Sequence, residues 1–526
     1  MPLPNATERV VKLWRIIFGV AAMVLLALGV RWIHVAELPK QETWLDAGGC
    51  HTPVTILEPP PDVKPAGSVI VLHGLSANRR LMMYLAEDFA GHGLHTYALD
   101  LPGHGDSKDA FSFPRAQECA TAAVESLVRS GAIDPRTTIV VGHSMGAAIA
   151  IHIADRDPVA ATIAISPAPM NMPRRMPANL LVFSASTDIE PLKQTAQSLS
   201  AAAQGNRNSS DDFTQQRAFY LQLIPHSTHT SLLSDGRVAH QSELWAMRAL
   251  FHGIPADTLA LNLDLATYET FGNGRRRLAG GILGFIAILL LFPLPAALVA
   301  KIAAPPRIES PGTHPSVALL LIEGLACSMA AVLLLMLGIP LNFLHLYAGA
   351  YLASFLLIVG TFLLALNFGF AMEYVSFPGK PLAAALLLGF ATFLALGAWL
   401  NWQLDDAWLN APRWLRFAGL LPVTWIYAFA EEVVLGPPHH GKKRALRFAV
   451  FLLLRLELFL ACCFAYYMLA NGQVLIVVLF AYLTGFSILQ RLATDALRVR
   501  TGSATSAALF GAILAAWFIA CVFPLT

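Results

Sequence analysis

The stretch TIVVGHSMGAAIA (residues 138–150) places Ser144 between two glycines, Gly142 and Gly146. The β-branched residues before the serine are typical of a buried strand, and the alanines after it suit a helix that approaches a sheet closely. A sharp turn from strand to helix leaves no room for Cβ atoms beside the serine, which explains the two glycines. The stretch therefore predicts a tight turn, and the rest of the chain decides whether Ser144 is a nucleophile.

Strands and helices alternate on both sides of this turn. Strands are predicted at residues 68–74, 94–100, 137–143, 161–166, 179–186 and 218–225. Helices are predicted at residues 79–91, 114–129, 146–155, 190–203 and 240–252. This alternation predicts an α/β fold with a parallel sheet covered on both faces. Ligand chemistry in such sheets collects at the carboxyl ends of the strands, where Ser144 lies.

A serine hydroxyl becomes a nucleophile only when a base removes its proton and a carboxylate orients that base. Asp188 follows one of the later predicted strands and His229 follows the next, so both are expected at the same edge of the sheet as Ser144. Glu190 is the alternative acid and His226 the alternative base. A helix N-cap is the structural alternative for Asp188.

The same chemistry needs backbone N–H groups that bind the oxyanion. The amide of Met145, directly after the serine, would supply one, and the amide of Leu75, in the loop after an earlier strand, would supply the other. The Ser76 hydroxyl is a further candidate donor. His73 is either a catalytic residue or a side chain that packs this loop.

Three motifs carry a resemblance to a known family. VLHGLSANRR (residues 71–80), DLPGHGDS (residues 100–107) and GHSMG (residues 142–146) occur together and in this order. Over residues 45–255 the sequence resembles the α/β-hydrolase superfamily, and within it the serine aminopeptidase and monoacylglycerol-lipase-like branch. The resemblance implies the α/β-hydrolase fold and a structural rather than catalytic role for the loop that begins at Asp100. The resemblance also implies a catalytic triad of Ser144, Asp188 and His229 with an oxyanion hole formed by Leu75 and Met145.

Members of this branch usually carry a helical lid after the nucleophile helix, and this chain departs from that pattern. Only PAPMNMPRRMPA (residues 167–178) is available for a lid, so we expect the lid to be reduced or absent and the site to be open. Met170, Met172 and Met176 are candidates to line an acyl groove, and Arg174 to bind an anionic head group. The alternative is a solvated loop with incidental methionines.

The remainder of the chain is much more apolar than a soluble domain. Of the 526 residues of the whole chain, 56% are hydrophobic and only 13% are charged. A span needs about 20 apolar residues to cross a bilayer. Eight spans are predicted, at residues 278–300, 316–338, 347–369, 381–401, 415–431, 446–469, 473–490 and 503–523. A ninth apolar run, at residues 16–30, is predicted to be an uncleaved anchor, with a secretory signal peptide as the alternative.

These runs divide the chain into an N-terminal tail and anchor (1–34), an α/β-hydrolase domain (35–270) and an all-α transmembrane bundle (271–526). The positions of most Lys and Arg residues in short loops predict a cytoplasmic N-terminus and a hydrolase domain outside the cytoplasm, as in a multi-pass protein of the bacterial cytoplasmic membrane. The arginines at 275–277 contradict this orientation locally. A disulfide between Cys50 and Cys119 would be permitted outside the cytoplasm.

Several ionisable residues lie inside the predicted spans, where each costs about 2.5–3.5 kcal/mol. Arg455 and Glu457 are two positions apart, so we expect each to pair with another helix. Glu431 and Glu432 either pair in the same way or mark the interface.

The net charge of +2 and the absence of a basic stripe argue against nucleic acid as a partner. The sequence shows no metal-ligand cluster, and no cofactor is expected; His439 and His440 are interpreted as solvated. The predicted function is hydrolysis of a carboxylic ester, of a lipid or a small acyl compound, at the membrane. Two alternatives stay open: a transporter, receptor or scaffold whose hydrolase domain binds without turnover, and a serine peptidase. The sequence makes no prediction of oligomeric state.

Overall fold

The structure is a computed structural model of the 526-residue chain. It describes residues 6–36, 38–61, 63–205, 212–251, 273–292, 316–403, 407–437, 442–470 and 472–526. The chain forms two compact units. We call the first the α/β unit (Val24–Phe285, Trp399–Asp406 and Leu525–Thr526) and the second the helical unit (Met1–Met23, Ile286–Ala398 and Ala407–Pro524). The predicted domain boundary at residues 270 and 271 lies outside the described residues.

An eight-stranded sheet, in the order β1-β2-β4-β3-β5-β6-β7-β8, forms the centre of the α/β unit. Its strands are β1 (Lys40–Ala47), β2 (Cys50–Leu57), β3 (Gly67–Leu72), β4 (Leu94–Leu99), β5 (Thr138–His143), β6 (Ala161–Ile165), β7 (Leu180–Ala185) and β8 (Phe219–Ile224). The strands β3 to β8 pair in parallel, whereas β1, β2 and β4 pair antiparallel. The prediction of an α/β-hydrolase fold with a mostly parallel sheet is confirmed.

Five helices of this unit follow the predicted order: α2 (Met83–Gly91), α3 (Phe113–Arg129), α4 (Met145–Arg156), α5 (Glu190–Gly205) and α6 (Gly236–Leu250). Local sequence determines where they begin. Ser112 caps α3 by accepting a hydrogen bond from the Arg115 amide, and Asp235 caps α6 by accepting one from the Arg237 amide. The strands β3 to β7 are buried along their whole length, except for Gly67 of β3 and His95 of β4, which are half-buried. This burial explains why these strands read as apolar runs in the sequence.

The hairpin of β1 and β2 was not predicted from the sequence. The β1 side chains are exposed or half-buried throughout, so its sequence KQETWLDA lacks the apolar run of a central strand. The turn between the two strands contains Gly48 and Gly49, both with positive φ. A Gly-Gly pair between two short strands is a hairpin signal and could have revealed this hairpin. A disulfide between Cys50 of β2 and Cys119 of α3, with their Cα atoms 5.5 Å apart, joins the hairpin to the parallel part of the unit.

The remaining described helices are α1 (Ala6–Ala36), α7 (Asn273–Leu291), α8 (Val317–Leu335), α9 (Gly349–Leu366), α10 (Phe368–Tyr374), α11 (Gly379–Gln403), α12 (Ala411–Leu435), α13 (Lys442–Tyr467), α14 (Val474–Val478), α15 (Phe480–Thr501) and α16 (Ala504–Val522). Among the described residues, seven helical segments are long and apolar enough to cross a membrane: Ile16–His34, Val317–Leu335, Gly349–Leu366, Gly379–Trp402, Ala411–Leu435, Ala445–Tyr467 and Ala504–Val522.

Two of the nine predicted spans are not among these seven. The prediction of a single span at residues 473–490 is wrong, because α14 ends at Val478 and α15 continues to Thr501 with several charged residues. The predicted span at 278–300 is described only as far as residue 292, and its helix begins with the arginines at 275–277.

These arginines are bound within the α/β unit. Arg277 is 5% exposed and forms an ion pair with Glu87 of α2, and the Arg275 guanidinium donates to the Gly236 carbonyl at 3.0 Å. Burial raises the pKa of Glu87 to about 7, although Arg277 opposes this shift. Arg275 and Arg277, which contradict the predicted orientation, therefore have a structural role in the α/β unit.

Candidate active site

Ser144 lies in the turn between β5 and α4 and has an unusual backbone conformation, with φ 54° and ψ −114°. Side chains other than glycine rarely adopt a positive φ, and such a conformation costs about 1–3 kcal/mol. The Ser144 amide donates to the Ile165 carbonyl at 2.9 Å, which helps to hold the turn. Ser144 is half-buried, whereas both of its neighbours in the chain are buried. The turn therefore presents the serine side chain at the carboxyl edge of the sheet.

The glycines on either side of Ser144 allow this turn to form. A Cβ atom on Gly142 would lie 2.1 Å from the Gly146 carbonyl oxygen, and one on Gly146 would lie 2.3 Å from the Leu72 carbonyl oxygen. Both distances are far below van der Waals contact. The prediction that this turn has no room for Cβ atoms is confirmed.

Asp188 and His229 meet just beyond the ends of β7 and β8. His229 Nδ1 lies 3.1 Å from Asp188 Oδ1, and the carboxylate also accepts from the Ala185 amide at 2.8 Å. Burial raises the pKa of the Asp188 carboxyl, but hydrogen bonds from His229 and Ser166 outweigh it, so its pKa lies below the ordinary value. An ionised Asp188 holds the proton of His229 on Nδ1 and leaves Nε2 free to act as a base.

Ser166 is a member of this group that the sequence analysis missed. Its hydroxyl donates to Asp188 Oδ2 at 2.7 Å and lies 2.9 Å from His229 Nδ1, and its φ is 47°. Ser166 follows β6 directly, as Ser144 follows β5. A polar residue at the end of a buried parallel strand is the signal that could have identified it.

His143 brings the His229 loop against the Ser144 turn. The Nε2–H group of His143 donates to the His229 carbonyl at 3.1 Å, and the two imidazole rings lie 4.7 Å apart. Burial lowers the pKa of His143 to about 3, with a further contribution from His229, so its ring is neutral. Among the described residues, the Ser144 hydroxyl and His229 form no direct hydrogen bond in this structure. Catalytic hydrogen bonds often tighten only when substrate binds.

The two proposed oxyanion-hole amides flank this turn. A Cβ atom on Gly74, next to Leu75, would lie 3.1 Å from Ser144 Cβ, so this loop approaches the serine closely. Within the described part of the chain, neither the Leu75 amide nor the Met145 amide donates to a protein acceptor. The Ser76 hydroxyl is buried without a hydrogen-bond partner there, and Ser76 has a φ of 60°. The two amides are therefore not committed to another acceptor among the described residues.

His73 packs the oxyanion loop. Its Nδ1–H group donates to the Gly74 carbonyl at 2.8 Å, and its Nε2 accepts from the Leu101 amide at 2.9 Å. Burial lowers the pKa of His73 to about 4, so the ring stays neutral at pH 7. Both ring nitrogens are occupied, which favours the packing interpretation over direct catalysis. Asp100 is likewise structural: it is fully buried and forms an ion pair with Arg79.

Residues 167–178 contain no helix, in agreement with a reduced or absent lid. Met170 and Met176 pack against the apolar cluster formed by α4, α5 and the neighbouring strands. Met172 is 42% exposed and Arg174 is exposed. Contact of these four residues with substrate stays a prediction.

The alternative acid and base are both placed away from this group. Glu190 is exposed and accepts a hydrogen bond from Gln194 within α5. His226 is exposed in the turn after β8. The structure thus brings together Asp188, Ser166 and His229, and it leaves the two alternatives in solvent.

Comparison with known proteins concerns the same part of the chain. Residues 69–283 match the model of the alpha/beta hydrolase family. The chain is 35% identical over 100 residues to a monoacylglycerol lipase of Mycolicibacterium smegmatis, a match that covers 19% of this chain. The match covers only 36% of the length of that lipase.

Two solved structures of similar proteins resemble the α/β part of the chain. One is a serine hydrolase without a lid from Xanthomonas campestris, 18% identical, with a TM-score of 0.33 over 42% of this chain and 98% of that one. The other is an esterase of Pyrobaculum calidifontis, 14% identical, with a TM-score of 0.34 over 48% of this chain and 100% of that one. Similarity at this level carries no weight for activity or substrate.

Proposed function

We propose that the chain is a membrane-integrated serine hydrolase that cleaves carboxylic esters of a lipid or a small acyl compound through an acyl-serine intermediate. One observation carries the proposal: the strained turn that presents Ser144 contacts the loop of His229, and the imidazole of His229 pairs with Asp188. One hydrogen bond of His143 and a ring contact hold the two segments together. A strained serine beside a buried carboxylate–imidazole pair suits nucleophilic catalysis and has no evident structural purpose.

The proposed reaction uses these residues in sequence. His229 Nε2 removes the Ser144 proton as Oγ attacks the ester carbonyl, while Asp188 stabilises the imidazolium. The amides of Leu75 and Met145 stabilise the oxyanion, and the imidazolium then protonates the leaving alcohol. Water, activated by the same imidazole, attacks the acyl-serine and releases a carboxylic acid, after which Ser144 regains its proton.

We place the α/β unit outside the cytoplasm. The disulfide between Cys50 and Cys119 supports this side, because disulfides persist in oxidising compartments. Proteinase K added to intact spheroplasts should then degrade the α/β unit, and Cys50 should react with maleimide only after reduction. Protection from the proteinase in intact spheroplasts, with degradation after lysis, would contradict this placement.

The test of the activity is labelling by a fluorophosphonate probe. Membranes that contain the wild-type chain should be labelled, and those that contain the Ser144→Ala variant should not be. Ser234→Ala is a matched control, because this serine is exposed and lies outside the site. Absence of labelling in a correctly folded wild-type chain would favour the binding or transport alternative.

A substrate panel separates the esterase from the peptidase. Esters of p-nitrophenol and a monoacylglycerol should be hydrolysed in a Ser144-dependent manner, and aminoacyl anilides should not be. Hydrolysis of the anilides alone would show a peptidase instead.

A further inference from the structure

Arg455, Glu431 and Glu432, which the sequence places in or beside predicted spans, form ion pairs between helices of the helical unit. Nη2 of Arg455 on α13 lies 2.6 Å from Oε1 of Glu431 on α12, so the predicted pairing of Arg455 with another helix is confirmed. Glu432 is 1% exposed and pairs with Arg491 of α15, so it does not mark an interface. Oε2 of Glu457 is buried without a hydrogen-bond partner among the described residues. These pairs link helices to one another, and the feature that bears on the proposed reaction lies in the α/β unit.

Leu525, which follows α16 in the chain, is built into a loop of the α/β unit. We call this loop, residues 100–111, the buttress loop. The Leu525 amide donates to the Gly103 carbonyl at 3.0 Å, and the Phe111 amide donates to the Leu525 carbonyl at 2.7 Å. Leu525 is 8% exposed, and a Cβ atom on Gly103 would lie only 2.4 Å from the Leu525 carbonyl oxygen. The backbone of Leu525 therefore ties Gly103 to Phe111 across the loop.

The buttress loop contacts the oxyanion loop (residues 73–80) through His104. Nε2 of His104 accepts a hydrogen bond from the Ser76 amide at 3.2 Å. The Nδ1–H group of His104 donates to the Pro102 carbonyl at 2.8 Å, which leaves Nε2 as the acceptor. The Phe111 ring lies edge-on to the imidazole, with the two ring centroids 5.2 Å apart. His104 is 2% exposed, so the loop around it determines where its Nε2 lies.

Ser76 lies next to Leu75, the proposed oxyanion donor, and its backbone is strained. Its φ is 60°, a conformation that a residue other than glycine keeps only where its surroundings fix it. The hydrogen bond to His104 is one such restraint. Once this bond is lost, the peptide between Leu75 and Ser76 can relax, and the Leu75 amide turns away from the oxyanion. Such a shift slows the reaction, because the loss of one oxyanion donor lowers kcat about 10²–10³-fold.

We propose that Leu525 is a positioning residue for the oxyanion hole. Its backbone holds the buttress loop in the shape that keeps His104 against Ser76, and this contact keeps the Leu75 amide directed at the oxyanion. The role rests on the proposed function, because it concerns the rate of the same reaction. Leu525 lies outside residues 69–283, which match the alpha/beta hydrolase family, so the restraint is additional to the matched region.

The first test compares proline substitutions at two neighbouring positions of the full chain in detergent. Leu525→Pro removes the N–H group that bonds to Gly103 and should lower kcat for p-nitrophenyl butyrate about tenfold, with KM changed less than twofold. Thr526→Pro should leave both constants unchanged, because Thr526 is exposed and its amide donates to no acceptor among the described residues. Leu525→Val keeps both backbone bonds and should behave as the wild type. An unchanged kcat in Leu525→Pro would overturn the proposal, as would an effect confined to KM.

Hydrogen–deuterium exchange reports the state of the oxyanion loop without turnover. In Leu525→Pro the Ser76 amide should exchange at least tenfold faster than in the wild type, because it loses its acceptor. Exchange in residues 138–150, around Ser144, should be unchanged. Equal exchange of the Ser76 amide in both chains contradicts the proposal. Faster exchange in residues 138–150 as well also contradicts it, since Leu525 would then stabilise the whole unit rather than one loop.

A second substitution tests the route through His104. His104→Phe keeps a ring beside Phe111 but removes the acceptor of the Ser76 amide, so it should lower kcat about as much as Leu525→Pro does. If both substitutions act through the same bond, the double variant should be no slower than the slower single variant. Losses of kcat that multiply in the double variant would show two independent effects and refute this route.

The two proposals fail in different ways. If the wild-type chain neither hydrolyses esters nor reacts with a fluorophosphonate, but the Ser76 amide still exchanges faster in Leu525→Pro, then the proposed hydrolysis is wrong and the hold of Leu525 on the oxyanion loop stands. If the wild type hydrolyses esters and Leu525→Pro changes neither kcat nor exchange, only the positioning role of Leu525 is wrong.

Discussion

His73 makes the stability of the α/β unit depend on pH, and replacing it with asparagine should remove that part of the dependence. The imidazole is fully buried, with both ring nitrogens bonded to backbone groups of Gly74 and Leu101. Its pKa is lowered to about 4 in the folded chain because burial disfavours the charged ring, and Arg79 adds to the effect. In the unfolded chain a histidine has a pKa of about 6.5.

The direction of the pH dependence of stability follows from the folded and unfolded pKa values of His73. Because the folded pKa is the lower one, the contribution of His73 to stability is complete above about pH 6.5 and is lost as the pH falls from there towards 4. At pH 5 the loss relative to pH 7.5 amounts to about 2 kcal/mol. His73→Asn keeps a donor for the Gly74 carbonyl but removes the acceptor of the Leu101 amide, which costs about 1–3 kcal/mol at either pH. The stability advantage of the wild-type chain should therefore shrink by about 2 kcal/mol between pH 7.5 and pH 5.

Pulse proteolysis in urea, on the full chain in detergent, measures this difference through the loss of the intact α/β unit. Midpoints for the wild type and His73→Asn are compared at pH 7.5 and pH 5.0. His226→Asn is a matched control, because His226 is exposed. The stability difference between this variant and the wild type should be the same at both pH values. A wild-type advantage that differs by less than ~0.5 kcal/mol between the two pH values would refute the reasoning.

Three further predictions concern other contacts. Ser166→Ala should lower kcat/KM for a p-nitrophenyl ester about tenfold, because the acid and base lose a shared hydroxyl, and unchanged kinetics would contradict this role. Gly146→Ala should destabilise the α/β unit by about 3 kcal/mol or more in pulse proteolysis, since its Cβ would meet a carbonyl of β3 at 2.3 Å, whereas Gly205→Ala, with open space around it, should not. Arg277→Gln should cost about 3–5 kcal/mol at pH 8, because it leaves Glu87 buried without a partner. That cost should fall at pH 5, where Glu87 takes up a proton, and an equal cost at both values would contradict the prediction.

The parts of the fold that the sequence predicts are those where burial dictates residue type. Strands β3 to β7 are enclosed by helices, so they consist mainly of apolar residues. Their predicted ends lie within two residues of the observed ends. The edge strand β1 has no such constraint, because its side chains reach solvent. Its polar sequence resembles a loop, and it was missed.

The candidate site was predictable to the extent that topology determines it. In a parallel sheet the residue after each strand lies at one edge, which places Asp188 and His229 near each other without knowledge of distances. Ser166 was missed because serine at a strand end is usually unremarkable, and only the structure shows that its hydroxyl contacts both partners. The role of Arg277 was not predictable either, because its partner Glu87 is 190 residues away in the chain.

The extended segment 167–178 bears on how fast the proposed enzyme completes its cycle. No helix in this segment covers the nucleophile, so entry and departure of ligands need no opening motion that would limit turnover. We therefore expect water to reach the acyl-serine of the proposed enzyme and hydrolysis to outpace transfer of the acyl group to other alcohols. The rate on a dissolved ester should also rise smoothly through the concentration at which the ester forms micelles, without the jump shown by lipases that open at an interface.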